Sequence, residues 1–311
     1  MKQHAVQTAT VTPRRRASLL AAMRSEARLG VAMIAVPVLG ALAFGVAPLL
    51  YIAWYSLHDW SPLAGRFDFV GIENYAFLFE SRTFQTSLVV TGIFVLGVVV
   101  AETVVAMSLA LLLNRRIRGI GLFRAAYFAP VVIAYVAWVL VWDYLLASNG
   151  TINSLLAAFG IVGPDWLHSP SWALGSVVVV VLFKGVGQNM ILFLAALQAV
   201  PRELLEAAAI DGATATKRFF RITLPLMTPT VLMVLILTTV GALNIFVPIQ
   251  LMTEGGPGNS TNVLSYYIYE IAFKQQEFGL GSAVAVVLFV IVLALTVSQW
   301  GLRKKWVHDE F

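Results

Sequence analysis

Two ionisable residues stand inside otherwise apolar sequence: Glu102 in "VVVAETVVAM" and Lys184 in "VLFKGVGQNM". A charge placed in hydrocarbon is costly, so such residues point to a transport pathway, a proton relay or a structural pair. Glu102 lies 15 positions from Ser87 and Lys184 12 from Trp172, which sets them at similar depth in antiparallel spans. The two either pair or face a shared polar cavity; a purely structural ion pair, or a lysine reaching toward the interface, is the competing reading. Gln188 and Asn189 follow Lys184 by about one turn, and Asn244 sits in a later apolar run near Gln250. Side-chain amides donate and accept at once, which suits the hydroxyls of a sugar, and helix–helix hydrogen bonding would use the same groups. Asp143, in "VWDYLL", lies close to a span end and reads as structural. Gly185 and Gly187 permit close helix contact or local unwinding.

Covalent chemistry finds no such constellation. Glu102 and Asp143 are isolated, there is no cysteine, and the four histidines, at 4, 58, 168 and 308, lack metal-ligand spacing. The glycines of "KGVGQN" do not belong to a G-x-x-x-x-G-K-[ST] phosphate loop, which occurs nowhere in the chain. No catalytic residue, metal or cofactor of the chain's own is expected.

The elements that must hold these residues are membrane helices. The 311 residues are 59% hydrophobic and 12% charged, with mean hydropathy +0.83; soluble domains carry about 25% charge. About 20 apolar residues span the hydrocarbon, and six stretches qualify, at 29–55, 87–113, 122–146, 172–199, 226–252 and 281–302. The first follows several arginines but, at 27 residues, exceeds the apolar region of a signal peptide and reads as a retained span. The predicted fold class is therefore all-α, a polytopic protein of six transmembrane helices. A tail at 1–28 and another at 303–311 flank a transmembrane domain at 29–302.

Orientation follows from Lys and Arg. One side collects 17 of the 21: Lys2, Arg14, Arg15, Arg16, Arg24 and Arg28; Arg115, Arg116, Arg118 and Arg124; Arg202, Lys217, Arg218 and Arg221; Arg303, Lys304 and Lys305. The other side has Arg66, Arg82 and Lys274. Both termini and the 200–225 loop are expected in the cytoplasm. The net charge of +5 is thus a topology signal, and no nucleic-acid partner is expected. The opposite loops, 57–81 and 253–279, are rich in aromatic residues and suit either an interfacial belt or an outside partner.

The cytoplasmic loop reads "AVPRELLEAAAIDGATATKRFFRITLPLMTPT". Pro201 and Glu203 suit a helix start. Leu204, Leu205, Ala208 and Ile210 give the helix an apolar stripe. Gly212 ends or bends it, and a basic amphipathic stretch leads to Pro225 and Pro229. A plain interfacial connector would satisfy that much. The spacing is more specific: Glu206-Ala207-Ala208, three residues, Gly212, nine residues, then Ile222-x-Leu224-Pro225. This resembles the "EAA" loop of the inner-membrane permease subunits of binding-protein-dependent ABC importers. Asp211, Ala213, Phe219 and Pro229 fit its extended form.

"FVGIENYAFLF" and "LMTEGGPGNST" resemble elements of the sugar-importer branch, in particular the first of two permease subunits in maltose and glycerol-3-phosphate importers. The resemblance implies the type I ABC importer permease fold in a bacterial inner membrane. It implies ATPase coupling through Glu206, Ala207, Ala208, Asp211, Gly212, Ile222, Leu224 and Pro225. Glu102, Lys184, Gln188, Asn189 and Asn244 become candidates for the substrate pathway. Implied partners are a second permease subunit, two ATP-binding cassette subunits that hold ATP and magnesium, and an extracytoplasmic solute-binding protein. The implied solute is a sugar or sugar-like compound, with a glycerol-3-phosphate or glycerophosphodiester substrate as the alternative. A self-sufficient secondary transporter would call for rows of membrane carboxylates or an inverted repeat with interrupted spans, and neither is visible.

Overall fold

The computed structural model describes residues 30–31, 33–115 and 118–306, the last five as backbone alone. The N-terminal tail, Arg116 and the side chains of Arg303, Lys304 and Lys305, all counted in the charge asymmetry, lie outside the described residues and side chains. The described residues divide into two units, one up to Trp54 and one from Tyr55 on. The first contains nearly all of α1, Met33–Tyr55, an apolar helix with one π-wound turn at Leu42–Val46. Apolar side chains are exposed all along it, as expected for a helix solvated by acyl chains.

The second unit opens with a hairpin absent from the all-α expectation. β1, His58–Ser61, pairs antiparallel with β2, Arg66–Phe69, with Trp60 opposite Phe67. Aromatic residues favour a pleated surface, and Pro62 and Gly65 (φ +65°) supply the turn between them. Trp60 stacks at 5.0 Å on Phe278, the first residue of the last helix. A short α2, Glu73–Glu80, leads into α3, Arg82–Leu113.

α3 shows how one helix serves two solvents. Ser87, Thr91, Phe94, Val98, Glu102, Ala106, Ala110 and Leu113 recur every three or four residues and are buried. Val89, Ile93, Leu96, Val100 and Val104 form a second stripe that is exposed. Both are mostly apolar, so the stripes differ in what they face more than in hydropathy. The buried stripe packs on α7, Ala173–Ala199, in the most extensive helix pairing of the unit.

One of the expected spans is bent within its length, and a second bend lies at the start of another. The stretch predicted as one helix at 122–146 divides into α4, Ile120–Val132, and α5, Tyr135–Leu146, with α6, Thr151–Ala158, beyond it; the two limbs meet at 102°. Ile133 and Ala134 are extended at the break, releasing the last carbonyls of α4 from the helical ladder. The stretch after the loop helix α8, Arg202–Ile210, divides likewise into α9, Ala215–Leu226, and α10, Thr228–Leu243, at 68°. Met227 marks this bend, between Pro225 and Pro229. α10 ends at Leu243, short of the predicted boundary at 252, and a π-wound turn at Ile249–Thr253 follows. α11, Leu264–Tyr269, and α12, Phe278–Trp306, complete the unit. Among the described residues four helices are long and apolar enough to cross a membrane, or six if each bent pair is one span.

Candidate functional site

The midpoints of α3 and α7 meet around a cavity of about 230 Å³ whose lining includes Glu102, Tyr135, Lys184, Gln188, Asn189 and Thr238. Glu102 is buried, and its Oε1 accepts a hydrogen bond of 2.7 Å from Asn189 Nδ2. The same amide donates to Thr238 Oγ1 at 3.0 Å, so one asparagine ties α3, α7 and α10 together. A carboxylate in hydrocarbon needs such a donor, because nothing apolar replaces its lost hydration.

Lys184 lines the same cavity without pairing with Glu102. Its Nζ donates to the carbonyls of Pro130, Val131 and Ile133, the groups freed where α4 breaks. It also lies 5.7 Å from the Tyr135 ring centre and 6.0 Å from that of Trp138. The ammonium thus caps the negative end of α4 and satisfies a backbone that lipid would leave bare. Of the two geometries open to these charges, the shared cavity is the one observed.

The glycines of "KGVGQN" serve close approach. A Cβ on Gly185 would collide with the Glu102 carboxylate, and one on Gly187 with the Tyr127 carbonyl. Neither interrupts α7, which is continuous through both. Gln188 and Asn189 line the cavity with Glu102 and Lys184; Asn244 does not. Asn244 lies just past the end of α10, exposed, and donates at 2.8 Å to the Val240 carbonyl of its own helix. Gln250, in the turn beyond, keeps a buried Oε1 without a partner among the described residues. Tyr135 and Thr238 were not singled out in the sequence. A tyrosine and a threonine in apolar runs are too common to stand out, and their role appears only when helices far apart in the chain converge.

The second candidate region is the loop. α8 follows directly from α7 through Val200 and Pro201. Leu205 packs onto the apolar cluster formed by the ends of α3 and α7, and Glu206, Ala207 and Ile210 face outward, Ile210 at 88% exposure. Gly212 adopts φ +77°, with its N–H bonded to the Ala209 carbonyl at 3.1 Å and the Ala213 N–H to the Ala208 carbonyl at 2.9 Å. This left-handed closure satisfies carbonyls at the helix end and favours glycine. Thr214 caps the next helix by accepting from the Lys217 amide at 3.3 Å, and Arg218 reaches back to donate to the Leu205 carbonyl at 3.3 Å. Asp211 is exposed beside Gly212, while Ile222, in the π-wound turn Phe219–Thr223 of α9, and Leu224 and Pro225, in the α-helical turn after it, are half-buried. The result is a short knob whose exposed side chains include the carboxylates of Glu203, Glu206 and Asp211, small residues and an isoleucine.

The family model for binding-protein-dependent transport system inner membrane components matches residues 103–303, a segment that includes Lys184 and the whole loop. The chain belongs to this family. It is 36% identical over 276 residues to the trehalose/maltose transport system permease protein MalF of Thermococcus litoralis, an alignment covering 88% of this chain and 92% of that protein. It is 36% identical over 247 residues to the sn-glycerol-3-phosphate transport system permease protein UgpA of Agrobacterium fabrum, covering 78% and 83%. The fold is that of a chain in the crystal structure of a bacterial alginate ABC transporter in complex with an alginate pentasaccharide-bound periplasmic protein, with TM-score 0.79, 22% identity and coverage of 90% and 96%. The apolar helices and the family match together make this chain a transport permease subunit.

Proposed function

We propose that the chain is the translocation subunit of an ATP-driven importer for a sugar or sugar-like solute, cycling between outward and inward access. It works beside a second permease subunit, receives solute from an extracytoplasmic binding protein, and responds to two ATP-binding cassette subunits. Those subunits hold the ATP and magnesium, and this chain catalyses no covalent step. The proposed topology in a bacterial inner membrane has six spans, each bent pair counting as one, with both termini and α8 in the cytoplasm. The observation that carries the reading is the continuity of α7: its middle lines the polar cavity and its end leads through Pro201 into the outward-facing knob.

In this reading α8 docks in a cleft of an ATPase subunit. Glu206 offers it a carboxylate, Ala207 and Ala208 allow close approach, and Asp211 and Gly212 fix the turn beyond. Ile222, Leu224 and Pro225 anchor the return into α10. Glu102, Lys184, Gln188 and Asn189 mark the proposed route of the solute, and Asn244, exposed outside the cavity lining, is not assigned to it. The cavity favours a neutral polyhydroxyl compound over a phosphate ester. Its cation, Lys184, is already engaged by three carbonyls, and the remaining polar groups are amides, hydroxyls and a carboxylate.

The test is Glu206→Arg in the reconstituted importer. Losing one partner of an interfacial charge contact costs about 2–5 kcal/mol, so uptake and transport-coupled ATP hydrolysis should both fall more than about tenfold while the binding protein still captures solute. Normal uptake with normal ATPase stimulation would remove the coupling assignment.

A further inference from the structure

A second, larger cavity lies at the α8 end of the unit, separate from the polar cavity at mid-depth. Its volume is about 760 Å³, and its lining includes Arg115, Arg124, Arg202, Gln198, Ile120 and Leu205. Three arginines therefore line one space, from the end of α3, the start of α4 and the start of α8. None of them forms an ion pair among the described residues, and no described carboxylate lines the cavity. Arg124 is the best placed. Its Nη2 donates to the Leu113 carbonyl at 2.8 Å, which holds the group in position, while its Nε is buried with no acceptor among the described residues. A buried donor left unmatched in a wall of positive charge calls for an anion with several acceptor oxygens.

We propose that this cavity binds the phosphate of an anionic phospholipid. Phosphate presents the oxygens that arginine forks match best, and Gln198 adds an amide suited to a headgroup hydroxyl. The source is argued from the apolar surroundings. Ile120 and Leu205 share the lining with the arginines, and the same turn of α4 exposes Leu122 (76%) and Phe123 (59%) beside Arg124. A soluble phosphate has no use for that apolar surface, whereas an acyl chain does. Basic pockets at membrane-helix ends are a general form of headgroup recognition.

The experiment uses the full-length chain, extracted in mild detergent with the subunits that accompany it, stripped of lipid and titrated under native mass spectrometry. Probes are phosphatidylglycerol, phosphatidylcholine and sn-glycerol 3-phosphate. Phosphatidylglycerol should bind at least about tenfold more tightly than phosphatidylcholine. An arginine near an anionic surface contributes about 1 kcal/mol, or about fivefold, so Arg115→Gln, Arg124→Gln and Arg202→Gln combined should remove that preference. Lys217→Gln with Arg221→Gln, charges at the same end but outside the cavity, should retain it. Should the triple variant fail to assemble, the single change at exposed Arg202 still predicts a loss of about fivefold. Equal binding of the two lipids, or a triple variant that assembles and keeps the preference, overturns the site. Binding of glycerol 3-phosphate as tight as that of phosphatidylglycerol overturns the lipid as source.

Discussion

The polar cavity and the α8 knob solve opposite problems. In the cavity a few polar groups must survive in hydrocarbon, so Glu102, Asn189 and Thr238 form a closed chain of hydrogen bonds and Lys184 is consumed by carbonyls. At the knob backbone carbonyls are the groups needing partners, and the side chains of Glu206, Asp211 and Ile210 are left outward. Internal satisfaction marks a place whose geometry must not drift, and an outward face fixed by local backbone turns marks a place made for contact. Disturbing the knob should therefore abolish work and spare stability, while disturbing the cavity should lower stability first.

The largest effect belongs to Gly212→Val. There is open space around Gly212, so the added side chain meets no neighbour, and the penalty is purely conformational. A β-branched residue at φ +77° costs on the order of 1–3 kcal/mol. That strain sits on an exposed turn, so it should be relieved by reshaping the end of α8 while the bundle stays folded. Solute uptake in proteoliposomes should fall by more than about tenfold, with a melting temperature within a few degrees of the parent. Gly212→Ala should fall between the two. A Gly212→Val protein that transports normally would show that the shape of this turn is irrelevant to coupling.

The cavity yields a loss of stability in place of a loss of uptake. Asn189→Leu leaves the Glu102 carboxylate buried with no donor and strips Thr238 of its amide partner. Leaving a buried charge unmatched costs about 3–5 kcal/mol, which thermal unfolding of the detergent-solubilised protein would register. Glu102→Leu combined with Asn189→Leu should recover part of the loss, because the pair is then removed together. Two single losses that simply add would mean that the 2.7 Å contact contributes nothing.

The same contrast explains what could be read from the sequence. The knob is local: Pro201, Glu203 and Gly212 each act within a turn of themselves, so spacing announced the helix, its stop and the restart at Pro225, while the Thr214 cap came only with the structure. The apolar runs announced the helices, though not the 102° bend at Ile133–Ala134. That bend depends on Lys184, 51 residues further along the chain, whose ammonium stabilises the freed carbonyls. The depth of Glu102 and Lys184 was legible from counting, and their shared cavity followed. Their separate partners were not, since Asn189 meets Glu102 across 87 residues and only the packing of α3 on α7 decides which amide arrives. The hairpin at 58–69 escaped notice because strands of four residues lie below what periodicity can resolve.

Asn244 supplies the smallest and most discriminating test. By residue type it belongs with Gln188 and Asn189, and the sequence grouped it with them. In the structure its amide faces out from the end of α10 and returns to its own Val240 carbonyl, away from the cavity lining. Removing such a bond at an exposed position changes stability by about 0.5 kcal/mol or less. Asn244→Ala should therefore leave melting temperature and the concentration dependence of uptake nearly unchanged, while Gln188→Ala, inside the cavity, should weaken apparent solute affinity about five- to tenfold through loss of one hydrogen bond. If Asn244→Ala shifts affinity as much as Gln188→Ala does, the end of α10 must swing into the solute route during the transport cycle, and the cavity seen in this state is only part of it.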